Sequence, residues 1–275
     1  MLTDYHVHLR PDGAGTPAER YFTPANVEAY RAAAGERGIA ELGVSEHVYR
    51  FRQALDVWQH PFWRENAVDD LDAYCAFAAE QGLRVGVEAD FVPGREDRMG
   101  ALLDGRPWDY VIGSVHFVGD RAVDHPDWDV WATTFESAEK VWRRYFELLA
   151  EAARSGLFDV LAHPDLVKVW GAERPRPDGD LRRFYEPAVE AIAESGVAVE
   201  VSTAGLRKPV AERYPAEPFL AMCLEAGAPI ALSSDAHVPE HLGWEYESTV
   251  AWLAEQGVRE LCVFEGRTRR LEPIG

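Results

Sequence analysis

Cysteine is scarce: Cys75, Cys223 and Cys262 are the three in 275 residues, far apart and without a Cys-x-x-Cys pair. That excludes a disulfide scaffold and a thiolate-held metal, and it leaves buried thiols. Long apolar runs are missing as well. No stretch approaches the ~18 residues of a membrane span, and the opening MLTDYHVH has neither the basic nor the apolar region of a secretory signal, so a soluble cytoplasmic protein with no membrane partner is expected. Positive charge is also short. Lys and Arg number 28 against 47 Asp and Glu, a net charge of -19. Surfaces that hold nucleic acid by its phosphates are basic, so no nucleic acid is expected as a partner. A small anionic substrate would instead need positive charge concentrated at one place.

What is present is apolar content and rhythm. Nine Trp, ten Tyr and twelve Phe within a 47% hydrophobic chain supply a sizeable core, and the length suits one α/β barrel, with a single domain expected over 1–275. Short apolar runs (LTDYHVHL, IAELGVSEHV, LRVGVEADF, DYVIGSVHFV, FDVLAHPDLV, VAVEVSTAG, PIALSSDAH and a terminal ELCVFEG) alternate with longer amphipathic stretches such as 23–38 and 136–156. That alternation predicts strands and helices in turn and hence a parallel sheet. Two long connections, 49–70 and the Pro/Gly-rich 171–180, are expected to shape a pocket.

The apolar runs end in chemistry. His6 and His8 lie two residues apart, so on a strand both imidazoles face one side. An HxH pair alone is more often two core histidines than a metal platform. Here six of nine histidines, His6, His8, His47, His116, His163 and His237, sit at strand ends, joined there by Glu88 and Asp235. Side chains at the C-terminal ends of many parallel strands converge if those ends ring a point, as in a barrel. Eight nitrogen and oxygen donors exceed the ~3 protein ligands of one catalytic zinc, so two or three divalent ions are expected, with Glu88 as a bridge. Such centres suit attack at phosphorus.

Taken in order, YHVH, SEHV, VGVEADF, GSVHF, LAHPD and SSDAH resemble the polymerase-and-histidinol-phosphatase (PHP) superfamily over nearly the whole chain. The resemblance implies a distorted (β/α)7 TIM-like barrel of the PHP type. It implies one ion on His6, His8, Glu88 and Asp235, a second on Glu88, His116 and His163, and a third on His47 and His237. Members often carry another histidine in the loop after HxH, whereas this chain reads LRPDGAGT. Asp12 could take that place or could be a turn residue before Gly13, and Glu46 beside His47 is a further candidate. The STAGLRK segment (202–208) resembles NTSGLRK of the histidinol-phosphatase branch, which points to Ser202, Arg207 and Lys208 as phosphate-binding residues, with Thr203 nearby. SDAHVPEHLGWEYE and VWRRYFELL also resemble segments of that branch.

The implied reaction is hydrolysis of L-histidinol phosphate to L-histidinol and phosphate, in histidine biosynthesis. Arg207 would steady the transferring group, and Asp235 or His237 would serve the leaving alcohol, though both also look like ligands. Imidazole and carboxylate donors accept Zn, Fe, Mn or Co. Phosphotyrosine or nucleotides are alternative substrates within the superfamily. Asp165 reads as a helix N-cap or as the orienter of a ligand imidazole, and Phe117, Trp170 and Trp244 read as frames for an imidazole-bearing substrate or as core.

Overall fold

The computed structural model describes residues 1–13, 16–133 and 137–274. Seven parallel strands pair in sequence order: β1 (Leu2–Asp4), β2 (Ile39–Val44), β3 (Arg84–Asp90), β4 (Tyr110–Ser114), β5 (Val160–Leu161), β6 (Ala198–Ser202) and β7 (Ile230–Ser233). A helix follows each strand on the outside: α1 (Pro24–Glu36), α2 (Leu71–Glu80), α3 (Glu96–Leu103), α4 (Ala138–Arg154), α5 (Arg182–Ser195), α6 (Glu217–Glu225) and α7 (Tyr246–Glu255). This is the expected (β/α)7 order. Thr23 caps α1 by accepting the Asn26 amide, Ser137 caps α4 at Lys140, and Gly38 and Gly156 leave the same helices with positive φ. Glu136 in the predicted helix, and Ala14 and Gly15 in the LRPDGAGT loop, lie outside the described residues.

The ring closes between β1 and β7. Val7 and Ala236 form a parallel bridge, and the His8 amide donates to the Ala236 carbonyl at 2.8 Å. The buried carboxylate of Asp4 accepts the amides of Ser234 (3.1 Å) and Gly243 (3.2 Å) across the same seam. Sequential parallel strands joined by outer helices leave one edge at each end of the sheet, and these polar contacts remove both.

The eighth apolar run is not a barrel strand. ELCVFEG forms β8 (Glu260–Glu265), which pairs antiparallel with β9 (Thr268–Pro273) in a separate hairpin. Cys262 and Phe264 of that hairpin pack with Tyr5, Tyr110, Ile112 and Val160, sealing the N-terminal mouth of the barrel. Tyr110 fills the interior there and donates its hydroxyl to the Tyr5 carbonyl at 2.6 Å. Its ring fits because β2 and β3 carry glycine opposite it: a Cβ on Gly86 would stand 2.2 Å from Tyr110 Cε2, and one on Gly43 2.4 Å from the hydroxyl oxygen. All three cysteines are buried and free, as expected. No helix among the described residues is long and apolar enough to cross a membrane.

Gly86→Ala should therefore destabilise the protein by about 3 kcal/mol, the upper part of the overpacking range, because a buried aromatic ring has nowhere to retreat. Urea unfolding checks this, and a midpoint within error of the parent would contradict the assignment of Tyr110 as the barrel plug.

Candidate metal centre

At the C-terminal ends of the strands, Glu88 is fully buried, and both its oxygens face imidazoles. Oε2 lies 3.3 Å from His6 Nε2, 3.5 Å from His8 Nε2 and 2.5 Å from His47 Nδ1, while Oε1 lies 3.1 Å from His163 Nε2 and 3.3 Å from His116 Nε2. Asp235 Oδ1 stands 3.7 Å from His6 Nε2 and 3.5 Å from His8 Nε2. His47 and His237 each stack with His8, at centroid distances of 4.2 and 4.1 Å, and lie 5.7 Å from each other. The expected ligands thus meet at one place, with His6, His8 and Asp235 on one side of Glu88 and His116 and His163 on the other.

Asp12 joins the third group, its oxygens 3.5 Å from His47 Nε2 and 3.1 Å from His237 Nε2. Of its two sequence readings, the donor fits this placement. Glu46 does not reach the cluster. It is buried away from it, accepting the Leu9 amide at 2.7 Å and Arg10 Nε at 3.2 Å, because a carboxylate beside two buried guanidiniums pairs with them first.

A metal fits this donor set on physical grounds. Among the described residues, the Nε2 atoms of His6 and His8 are buried without a hydrogen-bond partner. Each unsatisfied atom would cost about 1–3 kcal/mol. Three trios of donor atoms, His6/His8/Asp235, His6/Glu88/His163 and His8/His47/His237, each lie within 4.8 Å of one another. Donors around one ion at ~2.1 Å come this close, and imidazole with carboxylate but no thiolate suits divalent cations.

The supporting shell was the part the sequence hid. Glu200, buried on β6, holds His6 Nδ1 with one oxygen (2.8 Å), accepts the Ser233 hydroxyl with the same oxygen (2.7 Å), and accepts the His163 amide with the other (2.6 Å). Asp90 likewise takes His116 Nδ1 at 2.8 Å. Each carboxylate fixes the ring so that Nε2 faces the centre. A lone acid inside VAVEVS was the available signal, since a carboxylate is not buried in an apolar strand without partners. Asp165 is neither a cap nor an orienter: buried, it accepts the Ala216 amide at 2.8 Å and pairs with Lys168 at 3.0 Å. His163 and Asp235 have φ of 24° and 49°, a left-handed backbone that costs about 1–3 kcal/mol per residue and is kept where function over-determines it.

Above the centre lies a cavity of about 1160 Å³. Tyr49, Phe62, Phe117, Trp128, Trp170 and Tyr214 supply its aromatic walls, and Arg10, Arg50 and Lys208 line it with positive charge. The 49–70 connection shapes it as expected, but 171–180 does not line it and 117–128 does. Trp244 is 40% exposed and lies off the cavity. Arg207 turns to the backbone, donating from Nη2 to the carbonyls of Ser234 (2.8 Å) and Asp235 (3.2 Å), with Nη1 buried and unpaired among the described residues. Ser202 is buried with its hydroxyl accepting the Ala204 amide at 3.3 Å, and Thr203 is buried beside it.

The PHP domain family matches residues 23–204 of the chain. The chain belongs to that family. A protein of Deinococcus radiodurans named "Probable histidinol-phosphatase" is 34% identical over 99% of both chains, which carries the likeness across the His6/His8 and Asp235/His237 ends that lie outside 23–204. The "Histidinol-phosphatase" of Bacillus subtilis is 27% identical over 62% of this chain and 69% of its own. In fold, the chain superposes with a TM-score of 0.74 on the histidinol phosphate phosphatase of Lactococcus lactis, a crystal structure with zinc, L-histidinol and phosphate bound. That match has 20% identity and covers 98% of each chain.

Burial alone would raise the Glu88 pKa, but His47, His6 and His116 hold it well below the usual carboxylate range. Burial likewise opposes charge on His116 and His47, yet Glu88, together with Asp90 for His116 and Asp12 for His47, lifts them to about 10 and about 9. A histidine raised in the folded state stabilises fully below its unfolded pKa of ~6.5, and that stabilisation is lost as pH climbs through the folded value. Metal-free protein should therefore melt at lower temperature at pH ~10 than at pH ~7. Metal-loaded protein should show a smaller change, because coordination requires neutral rings throughout. Equal pH dependence of the two forms in calorimetry would contradict a shared site for protons and metal. Glu88→Gln should lower the metal content of purified protein by at least one equivalent by elemental analysis, and a full complement would overturn the bridging role.

Proposed function

We propose that this chain is a histidinol-phosphatase, hydrolysing L-histidinol phosphate to L-histidinol and phosphate with two or three divalent ions, and that residues 1–275 act as one PHP-type unit. The observation that carries the reading is Glu88, buried with one oxygen toward each histidine set at the floor of a cavity roomy enough for a small metabolite. Full-length likeness to the Deinococcus protein supports the substrate. The ions, of Zn, Fe, Mn or Co, would be held by His6, His8, Glu88 and Asp235, by Glu88, His116 and His163, and by His47, His237 and Asp12. Bound there, they supply an activated water and charge stabilisation at phosphorus.

The protein's own groups do the rest. Glu200 and Asp90 fix the tautomers of His6 and His116. Lys208 lines the cavity as one positive charge toward an anionic substrate, and Arg207 stands behind Asp235 with Nη1 unspent among the described residues. Aromatic walls accept the flat imidazole of the substrate. Asp235 and His237 lie among the ligand donors, which leaves the proton of the leaving alcohol to another group.

Phosphate release by metal-loaded protein from histidinol phosphate, a phosphotyrosine peptide and a nucleoside monophosphate should be selective for the first, and faster release from either of the others would displace this reading. Arg207→Ala should lower kcat/KM by ~10²-fold with metal content intact, since charge stabilisation of a transferring group is a large contribution. Near-normal kinetics would remove Arg207 from the reaction.

A further inference from the structure

Tyr214 stands apart among the residues that wall the cavity. It is completely buried, and its hydroxyl oxygen has no hydrogen-bond partner among the described residues. Its backbone is tied to the end of β6, the amide donating to the Ser202 carbonyl at 3.0 Å and the carbonyl accepting the Ser202 amide at 2.7 Å. The ring passes over Gly205, where a Cβ would stand 3.0 Å from Tyr214 Cε2 and 2.0 Å from the Glu212 carbonyl oxygen, so glycine is required for it to lie there. It meets the His163 ring edge-on at 6.2 Å between centroids. The Lys168 ammonium, fixed by Asp165, Glu212 and the Arg213 carbonyl, lies 5.4 Å from the ring centroid. A buried hydroxyl without a partner is costly in a folded protein, and here the described neighbours hold the ring in place while none of them takes its proton.

We propose that Tyr214 is the proton donor to the leaving oxygen of the phosphate monoester. This rests on the phosphatase reading and supplies the group that reading lacks. Asp235 faces His6 and His8 at once and His237 faces Asp12, so both are committed as donors to the metal cluster. In the step, the bond from phosphorus to the alcohol oxygen breaks with its electron pair passing to that oxygen, which takes the phenol proton as the alcohol departs. The attacking water adds its oxygen to phosphorus and gives up a proton, which returns to the phenolate beside Lys168. The sum is monoester plus water giving alcohol and phosphate, with the enzyme unchanged.

An alkoxide needs that proton and a nitrophenolate does not, so leaving-group dependence isolates the role. Metal-loaded parent and Tyr214→Phe proteins are compared on histidinol phosphate and on 4-nitrophenyl phosphate, with metal content and melting temperature measured for both. The expected result is a loss of ~10²-fold or more in kcat/KM on histidinol phosphate and less than ~3-fold on the nitrophenyl ester. Metal content should be unchanged and the melting temperature equal or higher, because an unsatisfied hydroxyl has been removed. Equal losses on both esters, no loss on either, or the same selective loss in Tyr49→Phe instead would overturn the proposal. Parent protein that cleaves the nitrophenyl ester but not histidinol phosphate would overturn the substrate reading alone, and the comparison of phenyl with 4-nitrophenyl phosphate would then judge Tyr214.

Discussion

A carboxylate buried among five imidazoles is the constraint on which the rest of this structure depends. Glu88 lies where no water reaches it, and an isolated ionised acid in such a place is too costly to keep. Its neighbours come from the segments just after β1, β2, β4 and β5, so the barrel must close for its charge to be met. In turn the histidines carry unpaired nitrogens that only a cation or a proton can satisfy together. The same charges that hold the metal-free protein at neutral pH are those a metal would replace.

Around that centre, the design is layered by strand. Tyr110 and the C-terminal hairpin fill the N-terminal half of the barrel with aromatic and aliphatic groups, which makes the floor rigid and dry. One step further along the strands, Glu200, Asp90 and Asp4 convert the interior to buried acids, each spent on a defined partner. Above them come the imidazoles, and above those the aromatic cavity. Polarity rises toward one mouth because side chains at the strand ends are the ones that neither neighbouring helices nor the plug can cover.

An overall charge of -19 would repel an anionic metabolite, and the side-chain cations of the cavity offset little of it. Arg10 and Arg50 are buried among Glu46, Asp69 and Asp12 and brace the loop after the HxH pair, while Lys208 faces the cavity. Asp12, Glu65, Asp124, Asp127 and Asp235 line the same cavity, so Lys208 by itself does not make it positive, and an anionic ligand would depend on cations bound by the histidine and carboxylate cluster.

The sequence by itself determined the alternation of strands and helices, with ELCVFEG as an eighth strand candidate, and the convergence of His6, His8, His47, Glu88, His116, His163, Asp235 and His237. Periodicity places side chains on faces, and strand ends are visible where apolar runs stop. It also showed a glycine, Gly38 and Gly156, at the end of each of the two helical stretches that became α1 and α4. Tertiary structure decided what depends on direction across the chain: ELCVFEG turned back as a plug because no open edge remained for it, Glu46 was taken by arginines, and Asp12 reached the histidines. It also placed Glu200 behind His6 and His163, and left the buried hydroxyl of Tyr214 unclaimed by any described residue. Those outcomes are set by which groups 30 to 200 residues apart compete for the same partner, and local pattern carries no record of that competition.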